Sequence, residues 1–383
     1  MRYFKLITIL LVAFAINAYG EEKTIIWSTP FDGNTPCIDG RGWNKEIGNN
    51  FHRFPDRAKK VMREPVWSLS RNSTGLSIRF ITNAPEITVK YQVEEAVCYW
   101  NMTPIVKSGL DMYVTDSDGI TNWCAAPGNA YFPMNNNDTI CYHYKHLVYH
   151  NPNGAGSEYE MFLPLYNTVK WLQIGVPEGS KFKYCAPYSD KPIVVYGTSI
   201  AQGASASRPA MAWSSIIKRH LGVPLYNLGF SGNARMDEAV YDMLCEIDAR
   251  LYILDCMENM YGIADEIADR TVAGVTKLRK HSDAPILLVE HCGFGFATTN
   301  EPANQECIRT NQELHKAYMK LKAMKVPNIY YLSKKELGLD VESQVDGWHA
   351  SDIGMNYYAK AYLKKINKIL PDLAKRKWKY RLQ

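Results

Sequence analysis

Ile193-Val194-Val195-Tyr196-Gly197-Thr198-Ser199-Ile200 marks the point where the grammar of the chain changes. Four apolar residues end at a glycine, and a helical pattern follows around Trp213 to Leu221. The unit then repeats. Pro224 to Leu228 reads as a strand and Glu238 to Ile247 as a helix. Leu251 to Leu254 precedes a helical stretch from Ile263 to His281. Ile286 to Val289 precedes one from Gln305 to Lys325, and Ile329 to Leu332 precedes one from Ser351 to Leu370. Five short apolar runs alternating with helices predict a parallel sheet covered on both faces. Ligands of such sheets bind beyond the carboxyl ends of the strands, so the residues just after each run are the candidates for chemistry.

Upstream, residues 24 to about 185 follow a different period. Leu76, Ile78 and Phe80 alternate with polar residues, as do Ile87, Val89, Tyr91 and Val93 after the turn signal Asn83-Ala84-Pro85. Val169, Trp171, Ile174 and Val176 form a similar run. Turn clusters such as Asn151-Pro152-Asn153-Gly154 separate these segments. The pattern predicts an antiparallel β-sandwich with no helix. The expected organisation is therefore a leader over residues 1–20, a β-sandwich over 21–185 and an α/β module over 186–383.

The leader is read from Met1-Arg2-Tyr3-Phe4-Lys5, an apolar run from Leu6 to Ile16, and the small residues of Ala18-Tyr19-Gly20. This is the secretory pattern, and the run is short for a membrane span. No other stretch is long and apolar enough to span, so an exported protein without a membrane span is expected after cleavage. Lys plus Arg number 44 and Asp plus Glu 39, a net charge of +5. Removal of Arg2 and Lys5 with the leader lowers it to +3. No basic stripe precedes Lys375-Arg376-Lys377, so a nucleic-acid partner is not expected. Nine cysteines are an odd number, and no C-x-x-C spacing occurs, so neither a zinc knuckle nor a thioredoxin-type motif is indicated. Cys256, in an apolar run, is expected to be a free core thiol.

Four strand ends carry polar residues of catalytic type. Ser199 follows the first run, where nearby backbone N–H groups favour an anion. Gly229-Phe230-Ser231-Gly232-Asn233 follows the second, where a glycine lets the backbone approach a ligand. Asp255-Cys256-Met257-Glu258-Asn259 follows the third, and an amide there can donate to an oxyanion. Asp346-Gly347-Trp348-His349 follows the fifth, a spacing that can pair carboxylate with imidazole. Singly, each of these is also an ordinary cap or turn.

Taken in order, the four resemble the name-giving blocks of the SGNH hydrolases, the GDSL esterase family, with Ser199, Gly232, Asn259 and His349 at the four positions. The resemblance spans roughly residues 190–370. Its most specific part is Val345-Asp346-Gly347-Trp348-His349-Ala350-Ser351-Asp352-Ile353-Gly354. Gly109-Leu110-Asp111-Met112-Tyr113 is similar to the G-x-D-L-Y signature of an accessory β-domain that precedes some of these enzymes, with Met112 for the usual Leu. The chain departs from the family at Thr198 (often Asp), Ile200 (often Leu), and Met257 and Met260 (usually Gly and Asp). Glu258 is expected to point outward, away from a developing oxyanion.

The resemblance implies a three-layer, flavodoxin-like parallel sheet behind a jelly-roll-like sandwich. It implies Ser199 as nucleophile, His349 as base and Asp346 as its orienting carboxylate. The backbone N–H groups of Ser199 and Gly232 and the Asn259 amide would form the oxyanion hole, and no metal or organic cofactor is required. Trp348, Trp213 and His291 are candidates to line the substrate cleft. His143 and His146 would fall on opposite faces of a strand, a poor start for a metal site. Asn72, Asn101 and Asn137 open N-x-[ST] sequons.

Three readings compete. One is a secreted serine esterase acting on carbohydrate O-acetyl groups. Another is a lipase- or thioesterase-like acyl hydrolase, which needs a long apolar tunnel. The third is a catalytically inactive glycan-binding protein. Acyl chain, sugar and oligomeric state are left open at this stage.

Overall fold

Strand and helix boundaries in the computed structural model, which describes residues 24–34, 36–128, 130–132, 138–147 and 154–375, follow the two periods of the sequence. The expected leader, the sequon at Asn137 and the basic tail beyond Lys375 lie outside the described residues.

The N-terminal module holds β1 (Ile25–Ser28), β2 (Ser77–Thr82), β3 (Ile87–Val93), β4 (Asp111–Thr115), β5 (Thr121–Cys124), β6 (Ala130–Tyr131), β7 (Ile140–Tyr144), β8 (Ser157–Phe162), β9 (Val169–Pro177) and β10 (Phe182–Tyr184). They form two antiparallel sheets, ordered β1-β9-β3-β7-β6 and β10-β2-β8-β4-β5. Ile87, Val89, Tyr91 and Val93 face inward while Thr88, Lys90 and Gln92 are half-buried. Ile78, Phe80, Val89, Tyr91, Met161 and Ile174 fill the space between the sheets.

Three short helices depart from the all-β expectation: α1 (Asn44–Ile47), α2 (Glu64–Ser70) and α3 (Pro104–Ser108). At four to seven residues they are too short to show a helical period, and isolated segments of that length do not hold in water. Tertiary packing holds the segment around α2. Phe54, Ala58, Met62 and Val66 share one core with Leu228, Phe230, Val240 and Leu244 of the second module.

In the second module each strand is followed by one or two helices: β11 (Ile193–Gly197), α4 (Ser199–Gln202), α5 (Trp213–Leu221), β12 (Leu225–Gly229), α6 (Glu238–Cys245), β13 (Leu251–Asp255), α7 (Ile267–His281), β14 (Ile286–Val289), α8 (Glu301–Ala323), β15 (Ile329–Leu332), α9 (Lys334–Leu337) and α10 (Asp352–Ile369). The sheet is parallel, ordered β12-β11-β13-β14-β15, the flavodoxin-like order. Alternation along β11 feeds two cores. Ile193 and Val195 pack with Trp213, Ile217, Tyr358 and Tyr362 of α5 and α10. Val194 and Tyr196 pack with Val240, Val275 and Leu314 of α6, α7 and α8.

The modules are tied by buried polar contacts. Arg53 is 1% exposed and donates through Nη1 to Asn227 O at 3.0 Å and Gly229 O at 2.7 Å. Lys218 of α5 meets Glu160 of β8 at 2.6 Å. Asp111, the acid of the G-x-D-L-Y-like motif, accepts from Trp123 Nε1 at 2.7 Å, from Arg208 at 2.5 Å and from Ala210 N at 3.1 Å. The motif thus docks the sandwich onto the loop before α5. Cys256 is a free thiol and is fully buried.

Candidate active site

The site forms where β11, β12 and β13 end. Gly197 ends β11 against β13: a Cβ there would stand 2.5 Å from Ala201 Cβ and 3.0 Å from Asp255 O. Thr198 caps α4, its Oγ1 accepting from Ile200 N at 3.3 Å, which is the service a capping oxygen supplies. Ser199 is the first helical residue, so its N–H has no intrahelical acceptor. Its side chain is 8% exposed.

His349 Nε2 lies 3.0 Å from Ser199 Oγ. On the other side of the ring, Nδ1 lies 2.7 Å from Asp346 Oδ2. Asp346 Oδ1 accepts the backbone N–H of His349 at 2.8 Å and of Trp348 at 3.0 Å. Partial burial alone would raise the Asp346 carboxyl. Hydrogen bonds from the His349 side chain and backbone, Trp348 and Asn101 outweigh it and hold the carboxyl at about 2. The carboxylate is ionised at neutral pH and fixes the imidazole with its proton on Nδ1, leaving Nε2 to accept from serine.

Two loops close the other side. Gly232 has φ +68, in the left-handed region, and no atom lies within 4 Å of where a Cβ would stand. The glycine is needed for the turn, and the space before it is open. Ser231 N is held by Gln202 Oε1 at 3.0 Å, and Gln202 Nε2 reaches Asn72 Oδ1 and Leu165 O, each at 3.2 Å. Asn259 sits in the 3-10 turn Met257–Asn259. Its Oδ1 accepts Ala234 N at 3.1 Å, which leaves Nδ2 as the donor end of the amide. Met257 and Met260 are fully buried in the core behind this turn.

Three expectations are corrected. Trp213 does not line a cleft: it is fully buried and stacks on Tyr362 with ring centroids 4.3 Å apart, the helix face having turned it into the core. His291 is 3% exposed and packs edge-on to Phe294, so it too lies behind the surface. Glu258 points inward: Oε1 accepts Cys292 N at 2.9 Å, while Oε2 is buried without a partner among the described residues. Burial pushes its carboxyl up, and burial with the neighbouring Glu258 pushes Asp255 up as well.

Glu258, His291 and Cys292 offer ligand-type atoms within 4.8 Å of one another. His291 Nδ1 accepts the Gly293 N–H at 2.9 Å, and burial with the nearby Lys334 pushes the imidazole down to about 3. The neutral ring therefore carries its proton on Nε2, a donor and not a metal ligand. The trio is a buried polar knot that joins the loops after β13 and β14.

Trp348 is half-exposed and packs edge-on to Phe296 beside the imidazole. The N-terminal module brings residues that no catalytic motif marked. Tyr166 OH donates to Ser199 O at 3.1 Å, Asn101 reaches Asp346, and the exposed Tyr99 and Trp100 precede Asn101. The sequon at Asn72 is buried, and the amide of Asn101 is engaged at the site.

Residues 190–367 match the GDSL-like lipase/acylhydrolase family, and residues 25–182 match the N-terminal domain of SGNH-hydrolase-type esterases. A Bacteroides ovatus protein described as a GDSL-like lipase is 32% identical, over 91% of this chain and 98% of that one, with a TM-score of 0.79. The chain belongs to the GDSL-like, or SGNH, hydrolase family. Two more distant structures share the two-module fold. A salicylyl-acyltransferase from a tetracycline biosynthetic pathway is 15% identical, with a TM-score of 0.70 over 91% of this chain and 98% of that one. A family two carbohydrate esterase from Cellvibrio japonicus is 11% identical, with a TM-score of 0.56 over 92% of this chain and all of that one. No protein of curated function matches the chain. Among the described residues no helix is long and apolar enough to cross a membrane.

Proposed function

We propose that this chain is an exported serine esterase that removes short acyl groups, acetyl first among them, from carbohydrates. The observation that carries the reading is the Ser199–His349–Asp346 relay, with contacts of 3.0 and 2.7 Å. In that reading His349 Nε2 takes the proton of Ser199 as Oγ attacks the ester carbonyl carbon. The N–H groups of Ser199 and Gly232 and the Nδ2 of Asn259 stabilise the tetrahedral oxyanion. The imidazolium, held by Asp346, returns the proton to the leaving alcohol oxygen. Water, deprotonated by the same base, then releases the acid and frees Ser199.

The surroundings favour a polyhydroxy alcohol over a lipid. A cavity of about 370 Å³ beside the Gly232 turn is lined by Glu64, Glu95, Tyr99, Tyr166, Ser231 and Asn233 among others. A fatty chain there would strip water from two carboxylates with nothing in return. The exposed rings of Trp100 and Trp348 offer faces for sugars. Residues 1–20 support export through their secretory pattern. Fold likeness to an acyltransferase and to a carbohydrate esterase does not choose the acyl acceptor, because function lives in the site.

The test is acetate release from a panel of acetylated glycans, beside aryl acetate and aryl octanoate, with Ser199→Ala as control. Ser199-dependent acetate release from a glycan is expected. Turnover of octanoate alone would move the chain to the lipase-like reading, and no turnover by a folded protein would move it to a binding role.

A further inference from the structure

The Tyr99–Met102 turn of the N-terminal module reaches the relay. It is closed by reciprocal backbone hydrogen bonds between Tyr99 and Met102, at 3.1 and 3.3 Å. Met102 is 7% exposed and packs in the same core as Leu165, Tyr166, Ala204 and Ala206, which anchors the turn. From the opposite side Ser205 Oγ donates to Asn101 O at 3.3 Å. Ser205 has φ +64, a left-handed backbone that is unfavourable for a serine and persists where surrounding contacts impose it. The tip is thus held from both modules.

Asn101 Nδ2 donates to Asp346 Oδ2 at 3.2 Å and stands 3.5 Å from His349 Nδ1. The amide has one workable orientation, since turning its oxygen to the carboxylate would set two acceptors face to face. Asp346 Oδ2 therefore serves two donors, the imidazole and the Asn101 amide.

We propose that Asn101 is a positioning residue for the Asp346–His349 pair, supplied in trans from the N-terminal module to the second, so that the relay is complete only when the sandwich is docked. The proposal rests on the esterase reading above. The amide fixes the carboxylate plane and draws electron density from Oδ2. That limits how strongly Asp346 stabilises the imidazolium.

The test compares the full chain with Asn101→Ala and Asn101→Asp on aryl acetate across pH 5 to 9. Asn101→Ala is expected to lower kcat about tenfold at unchanged KM, the loss of roughly one hydrogen bond to a charged group. Its acid limb should move to higher pH, because Oδ2 then serves the imidazolium alone. Asn101→Asp keeps the shape and adds a like charge, so it should move the limb further. A packing role would leave Asn101→Asp close to wild type. Wild-type kcat and acid limb in Asn101→Ala would overturn the proposal. A readout that needs no turnover is the NMR resonance of the His349 Nδ1 proton, which should move in both variants. An unmoved resonance would overturn the proposal even in a protein that cleaves no ester, whereas absent turnover with a moved resonance would overturn the esterase reading alone.

Discussion

His349 Nε2 stands 3.0 Å from Ser199 Oγ although 150 residues separate the two in the chain. Five parallel strands bring them together, since β11 delivers Ser199 and the loop before α10 delivers His349 at one end of the sheet. Ser199→Ala removes only an oxygen from a buried contact. It should cut ester turnover by roughly a thousandfold or more while leaving the melting temperature near wild type. Turnover within tenfold of wild type would remove Ser199 from the nucleophile's role.

Asp346 supplies a pH signature. Its carboxyl is held at about 2, below the ordinary 3.8, by hydrogen bonds present in the folded state. A depressed carboxyl stabilises the fold fully above its unfolded value, and that stabilisation is lost as pH falls from about 4 toward about 2. Asp346→Asn should therefore melt below wild type at pH 7, with the gap closing by pH 2. A gap independent of pH would show that the carboxylate's charge is not what stabilises.

In the proposed mechanism the Asn259 amide acts on the oxyanion and not on the bound ester, so Asn259→Ala should lower kcat by about a hundredfold or more with little change in KM. A change confined to KM would reassign Asn259 to ground-state binding.

Glu258 separates charge from hydrogen bonding. Burial pushes its carboxyl up, and Oε1 accepts Cys292 N. Glu258→Gln keeps the acceptor and should melt close to wild type. Glu258→Ala leaves a buried N–H unpaired and should cost about 1–3 kcal/mol in denaturant unfolding. Equal loss in both variants would mean that the negative charge itself is required.

Trp100→Ala and Trp348→Ala remove exposed rings beside Asn101 and His349. Each should raise KM for an acetylated glycan about three- to tenfold and leave aryl acetate turnover unchanged, matching the size of one aromatic stacking contact. Equal effects on both substrates would place the rings in the relay's support and not in sugar binding.

Much of the site was legible because its signals are local. Ser199, Gly232, Asn259 and the Asp346–His349 pair each follow an apolar run that becomes a strand, and strand ends are where such a sheet binds ligands. Asn101 carried no such mark. It lies 245 residues from Asp346, and the contact exists only because Met102 docks in the core of the other module. The inward turn of Glu258 was hidden for a related reason: a lone acid beside Asn259 in a turn reads as solvated until the loop after β14 is seen to cover it. Trp213 was rightly placed at the start of a helix, but which face of α5 it occupies, and so its stacking on Tyr362 instead of in the cleft, depends on the packing of α10.

By itself the sequence determined the two periods, the order of strands and helices in the second module, the alternating sandwich pattern and the polar residues at four strand ends. These depend on which face of a strand or helix is apolar, and that is written in neighbouring residues. What depends on distant segments meeting is settled by packing between modules and between loops. That packing set the short helices held by the second module's core, the Asp111 and Arg53 ties between modules, the buried face of Glu258 and the reach of Asn101 to Asp346. Such contacts draw their stability from burial and hydrogen bonding across long loops, and no local pattern records them.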